Sequence, residues 1–229
     1  MSQKRINDML ASIEAECLYT QGYTGIQAFK PEVMAAIANV PREKFVPESL
    51  KPWAYENKPL PIGNEQTISQ PYIVALMTDL LSPKKGDVTL EVGTGSGYQA
   101  AVLSQLVKQL YTLEIVPALA VNTAQLLKKL GYQNIEIRQG DASRGWPEHA
   151  PYDGIIVTAA AGHVPVALKE QLKPGGRLVI PIGDPRMPQE LLLIQKDKQG
   201  VFSSQNILPV AFVPFTGELS TGEKPCTTP

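Results

Sequence analysis

The feature that most restricts the fold of this chain is a regular alternation of short apolar segments with helical ones between residues 88 and 183. Apolar runs bounded by turn residues indicate strands, and amphipathic runs between them indicate helices. Strands that alternate with helices form right-handed crossovers, so we expect a mainly parallel sheet covered on both faces. The predicted strands are 88–92, 110–115, 135–140, 152–161 and 177–183, and the predicted helices are 98–109, 117–130 and 164–172.

The sequence on either side of this core has a different character. Apolar residues from Ile6 to Cys17 recur at helical spacing, and further helices are expected after Pro31 and Pro71. The proline-rich stretch 41–61 is predicted to be a loop, and 190–215 is predicted to form antiparallel strands joined at a turn. The overall expectation is an α/β, Rossmann-like fold in which a mixed, mostly parallel sheet carries an N-terminal helical cap. We expect a single domain over 1–229, divided into a cap and substrate-binding segment 1–82, a cofactor-binding core 83–184, C-terminal strands 185–216 and a polar tail 217–229.

Charge and cysteine content exclude several classes of function. Twenty-one basic and 22 acidic residues give a formal charge of −1, so there is no overall positive field to hold nucleic acid. Cys17 and Cys226 are the only cysteines, too few for a disulfide scaffold or a zinc knuckle. The start of the chain lacks the apolar core of a signal peptide, and no apolar run is long enough for a membrane span. We therefore expect a cytoplasmic protein with neither nucleic acid nor membrane as a partner.

A glycine-rich turn, EVGTGSG, follows the first predicted strand of the core. Its glycines, Gly93, Gly95 and Gly97, stand where a strand-to-helix turn presents backbone N–H groups to a ligand. A side chain there would keep the backbone from the ligand or forbid a positive φ. The dinucleotide fingerprint requires a third glycine at position 98, where this chain has Tyr98, so a pyrophosphate loop is an incomplete match.

Two acidic residues end the next two strands. Glu114 is placed to accept hydrogen bonds from both hydroxyls of a ribose, and Asp141 could accept one from an adenine amino group. Together with the glycine loop they outline a nucleoside site. Each feature also has a plain structural explanation: the glycines could permit tight helix packing, Glu114 could be an acid favoured by a helix N-terminus, and Asp141 could be a turn residue.

Longer motifs carry a resemblance to a known family. The loop preceded by Glu91 resembles motif I of methyltransferases that depend on S-adenosylmethionine. The segments VPREKFVP, QTISQP (66–71), LEVGTGSGYQAAVL, LKPGGRLVIPIG and FVPFTGEL, spread over almost the whole chain, closely resemble the protein-L-isoaspartate O-methyltransferase family. The TISQP motif is specific to that family, whereas many methyltransferases share the glycine loop. Ala142 departs from the family pattern, in which we expect glycine after Asp141.

This resemblance implies a Rossmann-like methyltransferase fold, S-adenosyl-L-methionine as cofactor and S-adenosyl-L-homocysteine as product. It implies isoaspartyl-containing peptides and proteins as substrates of a monomeric enzyme. It makes Ser69 the active-site residue, although Ser69 could instead be the N-cap of the helix after Pro71. The implied substrate-binding residues are Ser69, Tyr72 and Thr216. The implied cofactor-binding residues are Gln66, Thr67, Ile68, Gly93, Thr94, Gly95, Ser96, Gly97, Glu114, Ile115, Asp141 and Ala142.

The residue inventory agrees with this chemistry but leaves competing functions open. A substrate carboxylate with a pKa of about 4 is ionised at neutral pH and needs no general base. His149 and His163 are isolated, so no metal site is expected. A nucleic-acid methyltransferase shares the fold, although 158–161 lacks the Asn/Asp-Pro-Pro-aromatic motif of base methylation. An NAD-dependent dehydrogenase, which Tyr98 disfavours, and a catalytically silent nucleoside-binding protein also stay open.

Overall fold

A computed structural model describes residues 3–184 and 187–217 of the chain. Its strands are β1 Leu60–Gly63, β2 Gln66–Ile68, β3 Val88–Val92, β4 Gln109–Glu114, β5 Ile135–Gln139, β6 Tyr152–Val157, β7 Leu172–Ile182, β8 Gln189–Lys196 and β9 Phe202–Val210. The strands β3 to β9 form one sheet in the order β5-β4-β3-β6-β7-β8-β9. Neighbours from β5 to β7 are parallel, whereas β8 and β9 are antiparallel additions at one side. The predicted mixed, mostly parallel sheet is confirmed.

The helices are α1 Gln3–Thr24, α2 Pro31–Asn39, α3 Pro71–Leu81, α4 Tyr98–Ser104, α5 Pro117–Lys129 and α6 Val166–Glu170. Three of them begin with proline. Proline is favoured at this position because the backbone N–H that it lacks would have no acceptor within the helix. The α3 helix ends at Leu81, and its C-cap residue, Ser82, takes a left-handed conformation with φ of 53°. The sequence therefore marks these helix boundaries with residues that have a local structural reason.

The N-terminal helices form the expected cap over the sheet. The α1 helix buries Ile6, Met9, Ile13 and Cys17, the stripe predicted from helical spacing. The α3 helix is buried along almost its whole length, because α1 covers one side of it and β7 the other. Apolar residues of the cap, α4 and the β8–β9 pair share one hydrophobic cluster. Packing against the cap is thus continuous with packing against the sheet.

The proline-rich stretch contains the largest departure from expectation. It was expected to be a loop, and most of it consists of short 3-10 turns, but it ends in β1, which pairs with β2 in an antiparallel hairpin. Asn64 and Glu65 form the turn with φ of 52° and 59°. Two consecutive positive φ values match the twist of a tight hairpin. The sequence signal was weak because prolines interrupt the first strand.

Several boundaries also differ from prediction. The helix expected over 98–109 ends at Ser104. Lys108 and Gln109 are outside it, since their N–H groups donate to the backbone carbonyl of Asp87 as the chain enters β4. The helix expected over 164–172 is limited to α6, and the strand expected over 152–161 ends at Val157. Residues 173–176, between the predicted helix and the predicted strand 177–183, lie inside β7, where the register to β6 shifts. The predicted polar tail and Cys226 lie outside the described residues, apart from Gly217.

Within residues 3–184 and 187–217, no helix has the length and apolar character needed to cross a membrane.

Candidate active site

A cavity opens beyond the carboxyl ends of β3, β4 and β6, the edge of a parallel sheet where ligands bind. We call it the first cavity. It encloses about 770 Å³ when the space at its open mouth is included. Its walls come mainly from four parts of the chain: 66–69, 93–96, 114–116 and 213–216. Residues distant in sequence therefore meet around one space.

The three loop glycines have different neighbours: a side chain on Gly93 or Gly97 would clash with the protein itself, whereas Gly95 has open space. A Cβ on Gly93 would lie 2.5 Å from Thr158 Oγ1, and a Cβ on Gly97 would lie 2.6 Å from Thr123 Cγ2 on α5. Gly97 therefore serves helix packing, the structural explanation considered for the whole loop, and it does not line the cavity. A Cβ on Gly95 would meet only Ile62 Cδ1, at 3.8 Å, and Gly95 does line the cavity. Gly95 is thus the glycine that leaves room for a ligand.

Glu114 lies in the wall of the first cavity with its side chain buried. Its Oε2 accepts a hydrogen bond from the Gly95 N–H at 2.7 Å, and its Oε1 accepts one from the Val116 N–H at 2.9 Å. The second bond provides an acceptor for a backbone N–H at the start of α5, so Glu114 has the helix N-terminal role considered in the sequence. Each carboxylate oxygen retains further acceptor capacity for ligand hydroxyls. Glu114 therefore links the glycine loop to α5 and faces the cavity.

Asp141 and its neighbours divide between the cavity and a turn. Gly140 and Ala142 line the first cavity, whereas the Asp141 carboxylate accepts a hydrogen bond from the Ser143 N–H at 2.8 Å and so caps a short 3-10 turn. Gly217 passes so close that a Cβ on it would lie 2.5 Å from Asp141 Oδ1. The turn role of Asp141 is therefore present, and its bond to an adenine amino group stays a prediction.

A buried acidic residue, Glu91, is connected to the glycine loop by hydrogen bonds through Thr112. Glu91 is fully buried, and its Oε2 accepts a hydrogen bond of 2.5 Å from Thr112 Oγ1. Thr112 in turn lies 2.8 Å from Thr94 Oγ1, so the acid is connected to the loop. Glu91 Oε1 has no hydrogen-bond partner within the described residues. Burial is the main cause that raises the pKa of Glu91 to about 8. The hydrogen bond from Thr112 lowers this pKa, and the nearby Glu114 charge raises it further.

A second cavity adjoins the first. It encloses about 1080 Å³ with its open mouth, and its walls come from α1, the start of α3 and the chain around the end of β9, including 208–213. Tyr72, predicted to bind substrate, lines this second cavity, whereas Thr216, predicted for the same role, lines the first. The two cavities share Thr67, Ser69, Thr158 and Val213 in their walls. These four residues mark the junction at which two ligands could meet.

Ser69 lies at this junction, between β2 and α3. The interpretation that it caps α3 is wrong, because Gln70 occupies the N-cap position and makes no side-chain cap bond. Instead the Asn57 Oδ1 accepts the hydrogen bond from the Tyr72 N–H in the first turn, at 2.9 Å. No hydrogen bond within residues 3–184 and 187–217 engages the Ser69 hydroxyl. Ser69 therefore lines both cavities with a hydroxyl that no described residue engages.

Some wall residues were not predicted. Thr158 lines both cavities and donates to the Gly93 carbonyl at 2.6 Å, and Val213 lines both from the other side. Thr158 could have been found from its place directly after β6, next to the strand that carries the glycine loop. Val213 had no such signal. Tyr98, considered above only as a missing glycine, is buried and also lines the first cavity.

Two further side chains, Tyr55 and His149, have surroundings that are purely structural. Tyr55 is buried, donates to Glu43 and lies under the Arg5 guanidinium, so it anchors the proline-rich segment to α1. His149 stacks on Tyr111 with ring centroids 3.8 Å apart. Nowhere in the described part of the chain do three His, Cys, Asp or Glu side chains converge as they would around a metal ion.

The first cavity fits a nucleoside cofactor. Gly95 leaves space above the loop, Glu114 offers carboxylate oxygens for hydroxyl groups, and Ile115 follows it in the wall. This site at the switch edge of a mostly parallel sheet defines the chain as a Rossmann-like α/β protein with a nucleoside-binding site, the class to which methyltransferases that depend on S-adenosylmethionine belong.

Comparisons with known proteins identify the family within this class. The family model for protein-L-isoaspartate(D-aspartate) O-methyltransferase matches residues 16–220. The chain is 56% identical over 209 residues to protein-L-isoaspartate O-methyltransferase 2 of Syntrophobacter fumaroxidans, covering 91% of this chain and 85% of the relative. It is 54% identical over 210 residues to the protein of the same name from Polaromonas sp., covering 92% of this chain and 100% of the relative. The chain therefore belongs to the protein-L-isoaspartate(D-aspartate) O-methyltransferase family.

Solved structures agree with this assignment. A protein-L-isoaspartate O-methyltransferase structure aligns with a TM-score of 0.79 and 27% identity, covering 93% of this chain and 67% of the other. A Plasmodium falciparum structure described as an enzyme of this family, in complex with S-adenosyl-L-homocysteine, aligns with a TM-score of 0.72 and 25% identity, covering 90% and 97%. The predicted fold and family are confirmed, and a nucleic-acid methyltransferase gains no support.

Proposed function

We propose that this protein transfers a methyl group from S-adenosylmethionine to the α-carboxylate of L-isoaspartyl residues in damaged peptides and proteins. The observation that carries the proposal, beyond family membership, is the junction of two cavities at Ser69 and Thr158. A methyl transfer needs a donor site and an acceptor site that meet at one point. The first cavity is suited to the cofactor, and the second, wider one is suited to a peptide.

The proposed chemistry explains why the junction holds no strong base. In an isoaspartyl linkage the backbone runs through the side-chain carbonyl and leaves the α-carboxylate free. That carboxylate is already ionised at neutral pH and can act directly as the nucleophile. S-adenosylmethionine, when bound, supplies an electrophilic methyl group on sulfur. The protein has to align the carboxylate oxygen with that methyl group, and such positioning is worth roughly 7–11 kcal/mol.

Ser69 is proposed as the residue that holds the carboxylate, by donating a hydrogen bond from its hydroxyl. Its free hydroxyl at the junction supports this role. The methyl ester that results has a good leaving group, so the neighbouring amide nitrogen closes a succinimide, which hydrolyses in part to normal aspartate. The reaction therefore leads to repair, although the enzyme performs only the first step.

Roles of whole segments follow as part of the same proposal. Segment 1–82 would bind substrate, 83–184 would bind cofactor together with Gln66–Ile68 of the hairpin, and 185–216 would complete the peptide cavity. A monomer acting in the cytoplasm on isoaspartyl proteins is the proposed setting.

Labelled methyl transfer tests the proposal directly. The purified protein is given methyl-labelled S-adenosylmethionine with an isoaspartyl peptide, the same peptide with normal aspartate, and RNA. We expect base-labile label in the isoaspartyl peptide alone. Equal labelling of the aspartyl peptide would refute recognition of the isoaspartyl linkage, and labelling of RNA alone would replace the proposed function.

A further inference from the structure

The α1 helix contributes one residue, Glu16, to the wall of the second cavity, and two exposed tyrosines lie on the same face of the helix. Glu16 lines that cavity, and Tyr19 and Tyr23 follow it three and seven residues later, so the three side chains lie on one face of the helix. Tyr19 is 88% exposed and Tyr23 is 69% exposed. We call these three residues the α1 edge. Two large aromatic side chains are thus exposed on the helix face that carries Glu16.

Glu16 is held in a fixed position close to the reaction junction. Its Oε2 accepts hydrogen bonds from Asn57 Nδ2 at 2.7 Å and from Gln70 Nε2 at 2.8 Å. Gln70 follows Ser69 directly and also donates to the Asn57 carbonyl at 3.0 Å. The carboxylate therefore stands beside the segment that carries the proposed active-site residue. Partial burial raises the pKa of Glu16, and the hydrogen bonds from Gln70 and Asn57 offset part of that rise.

The charge of Glu16 has no counterion within the described chain. Its neighbours there are the neutral amides of Asn57 and Gln70, and no lysine, arginine or histidine forms an ion pair with it. Among the described residues that line the second cavity, Glu16 is the one charged side chain. From the described part of the cavity wall, a bound peptide would thus meet the negative charge of Glu16. That charge attracts a cationic side chain and repels an acidic one.

The two tyrosines fit the same occupant. A tyrosine ring offers a large apolar face with a polar tip, which suits contact with a peptide chain at low entropic cost. Its face also attracts a lysine or arginine side chain. Glu16 links the two regions, because it lines the cavity proposed for the isoaspartyl residue and shares a helix face with Tyr19 and Tyr23, so a chain leaving that cavity past Glu16 would meet the α1 edge.

We propose that the α1 edge binds the residues that flank the isoaspartyl residue, and that Glu16 makes the enzyme prefer peptides with a cationic side chain beside the damaged residue over peptides with an acidic one. This inference rests on the proposed function, because it assigns the flanking part of the same substrate. It makes Glu16 a specificity-determining residue, while Ser69 holds the reacting carboxylate.

Peptides that differ only in charge test the role of Glu16. Isoaspartyl peptides carry lysine, glutamine or glutamate at one position, taken in turn through the two positions on each side of the isoaspartyl residue. For at least one position we expect the KM of the glutamate peptide to exceed that of the lysine peptide by roughly five- to twentyfold. In Glu16→Gln, whose amide oxygen can still accept the Asn57 and Gln70 bonds, that ratio should fall to about one.

The ratio separates charge selection from support. A purely structural role of Glu16 would change the KM or kcat of all three peptides alike and leave their ratio as in the wild type. An unchanged ratio in Glu16→Gln, or a ratio near one in the wild type at every position, would overturn the inference. The proposed function would survive either result, since the wild type would still methylate isoaspartyl peptides. Absence of transfer to every isoaspartyl peptide would instead refute the proposed function.

Truncation of the tyrosines tests the rest of the edge. In Tyr19→Ser/Tyr23→Ser we expect the KM of a peptide of about ten residues to rise roughly threefold to tenfold, while a three-residue isoaspartyl peptide keeps its KM. Leu18→Ser is the matched control, because Leu18 is 53% exposed and points away from this edge of the helix. An unchanged KM for the long peptide, or an equal rise in the Leu18→Ser control, would contradict binding along the α1 edge.

Discussion

The two cavities that meet at Ser69 are built on different principles. The first is formed by loops at the ends of adjacent strands, and its wall is tied together by short hydrogen bonds such as those from Gly95 and Val116 to Glu114. The second is formed by separate elements that pack side by side, and its described wall is mostly apolar, with Glu16 as the one charged side chain among those residues. A rigid polar site suits one invariant cofactor. A wide apolar site suits a repair enzyme that must accept many flanking sequences.

The largest expected effect tests whether the glycine loop belongs to the cofactor side. Gly95 lines the first cavity and a Cβ on it would have only Ile62 Cδ1 nearby, at 3.8 Å, so we expect the branched side chain of Gly95→Val to take up ligand space and to lower affinity for S-adenosylhomocysteine by about a hundredfold or more. The positive φ of 52° adds about 1–2 kcal/mol of strain, which the folded protein should tolerate. Calorimetric titration of the folded variant measures the affinity.

Gly97→Val is the matched control for that experiment. Its new side chain would clash with Thr123 and Leu127 of α5 and not enter the cavity, so we expect thermal stability to fall further than in Gly95→Val. Wild-type affinity in a folded Gly95→Val protein would show that the loop is structural and would contradict the cofactor site.

The next effect concerns the junction itself. Because the Ser69 hydroxyl does not cap α3, Ser69→Ala should leave the melting temperature and cofactor affinity nearly unchanged. Misplacement of the carboxylate by about 1 Å should lower methyl transfer to an isoaspartyl peptide on the order of a hundredfold. Steady-state kinetics at saturating cofactor measure this, with Ser204→Ala on the exposed part of β9 as control. Activity within about twofold of the wild type would remove Ser69 from the mechanism.

The smallest effect concerns the buried support of the first cavity. A Glu91 pKa raised from 4.5 to about 8 means that the folded protein holds a proton that the unfolded chain releases. The associated stability is fully present below pH 4.5 and is lost as pH rises through about 8. Between these limits we expect the wild-type melting temperature to fall relative to that of Glu91→Gln by at least ~2 °C. Parallel melting curves across this range would contradict a neutral, buried Glu91.

The difference between the cavities also explains what the sequence could predict. The first cavity depends on local patterns, since a glycine loop, Glu114 and residues around Asp141 follow successive strands, and parallel strands bring their ends together. The geometry then refined individual roles: Gly97 packs against α5, and Asp141 caps a turn. Strand and helix order was predictable for the same reason, because periodicity and terminal prolines are local signals.

The second cavity could not be predicted in this way. Glu16, Gln70 and 208–213 are far apart in sequence and meet only because α1 packs against α3 and β9. The β1–β2 hairpin, which brings Ile62 over the glycine loop, was hidden by prolines. Family resemblance supplied Ser69 and Tyr72, but no periodicity in the chain points to Glu16 as part of the same wall.

A structure of the protein with S-adenosylhomocysteine and an isoaspartyl peptide tests the central claim, that donor and acceptor meet at Ser69, most directly. We expect the cofactor product in the first cavity and the peptide in the second. The isoaspartyl carboxylate should lie within hydrogen-bonding distance of the Ser69 hydroxyl, about 2.5–3.0 Å, and point towards the sulfur. A carboxylate bound away from Ser69, or a peptide that leaves the second cavity empty, would contradict the account.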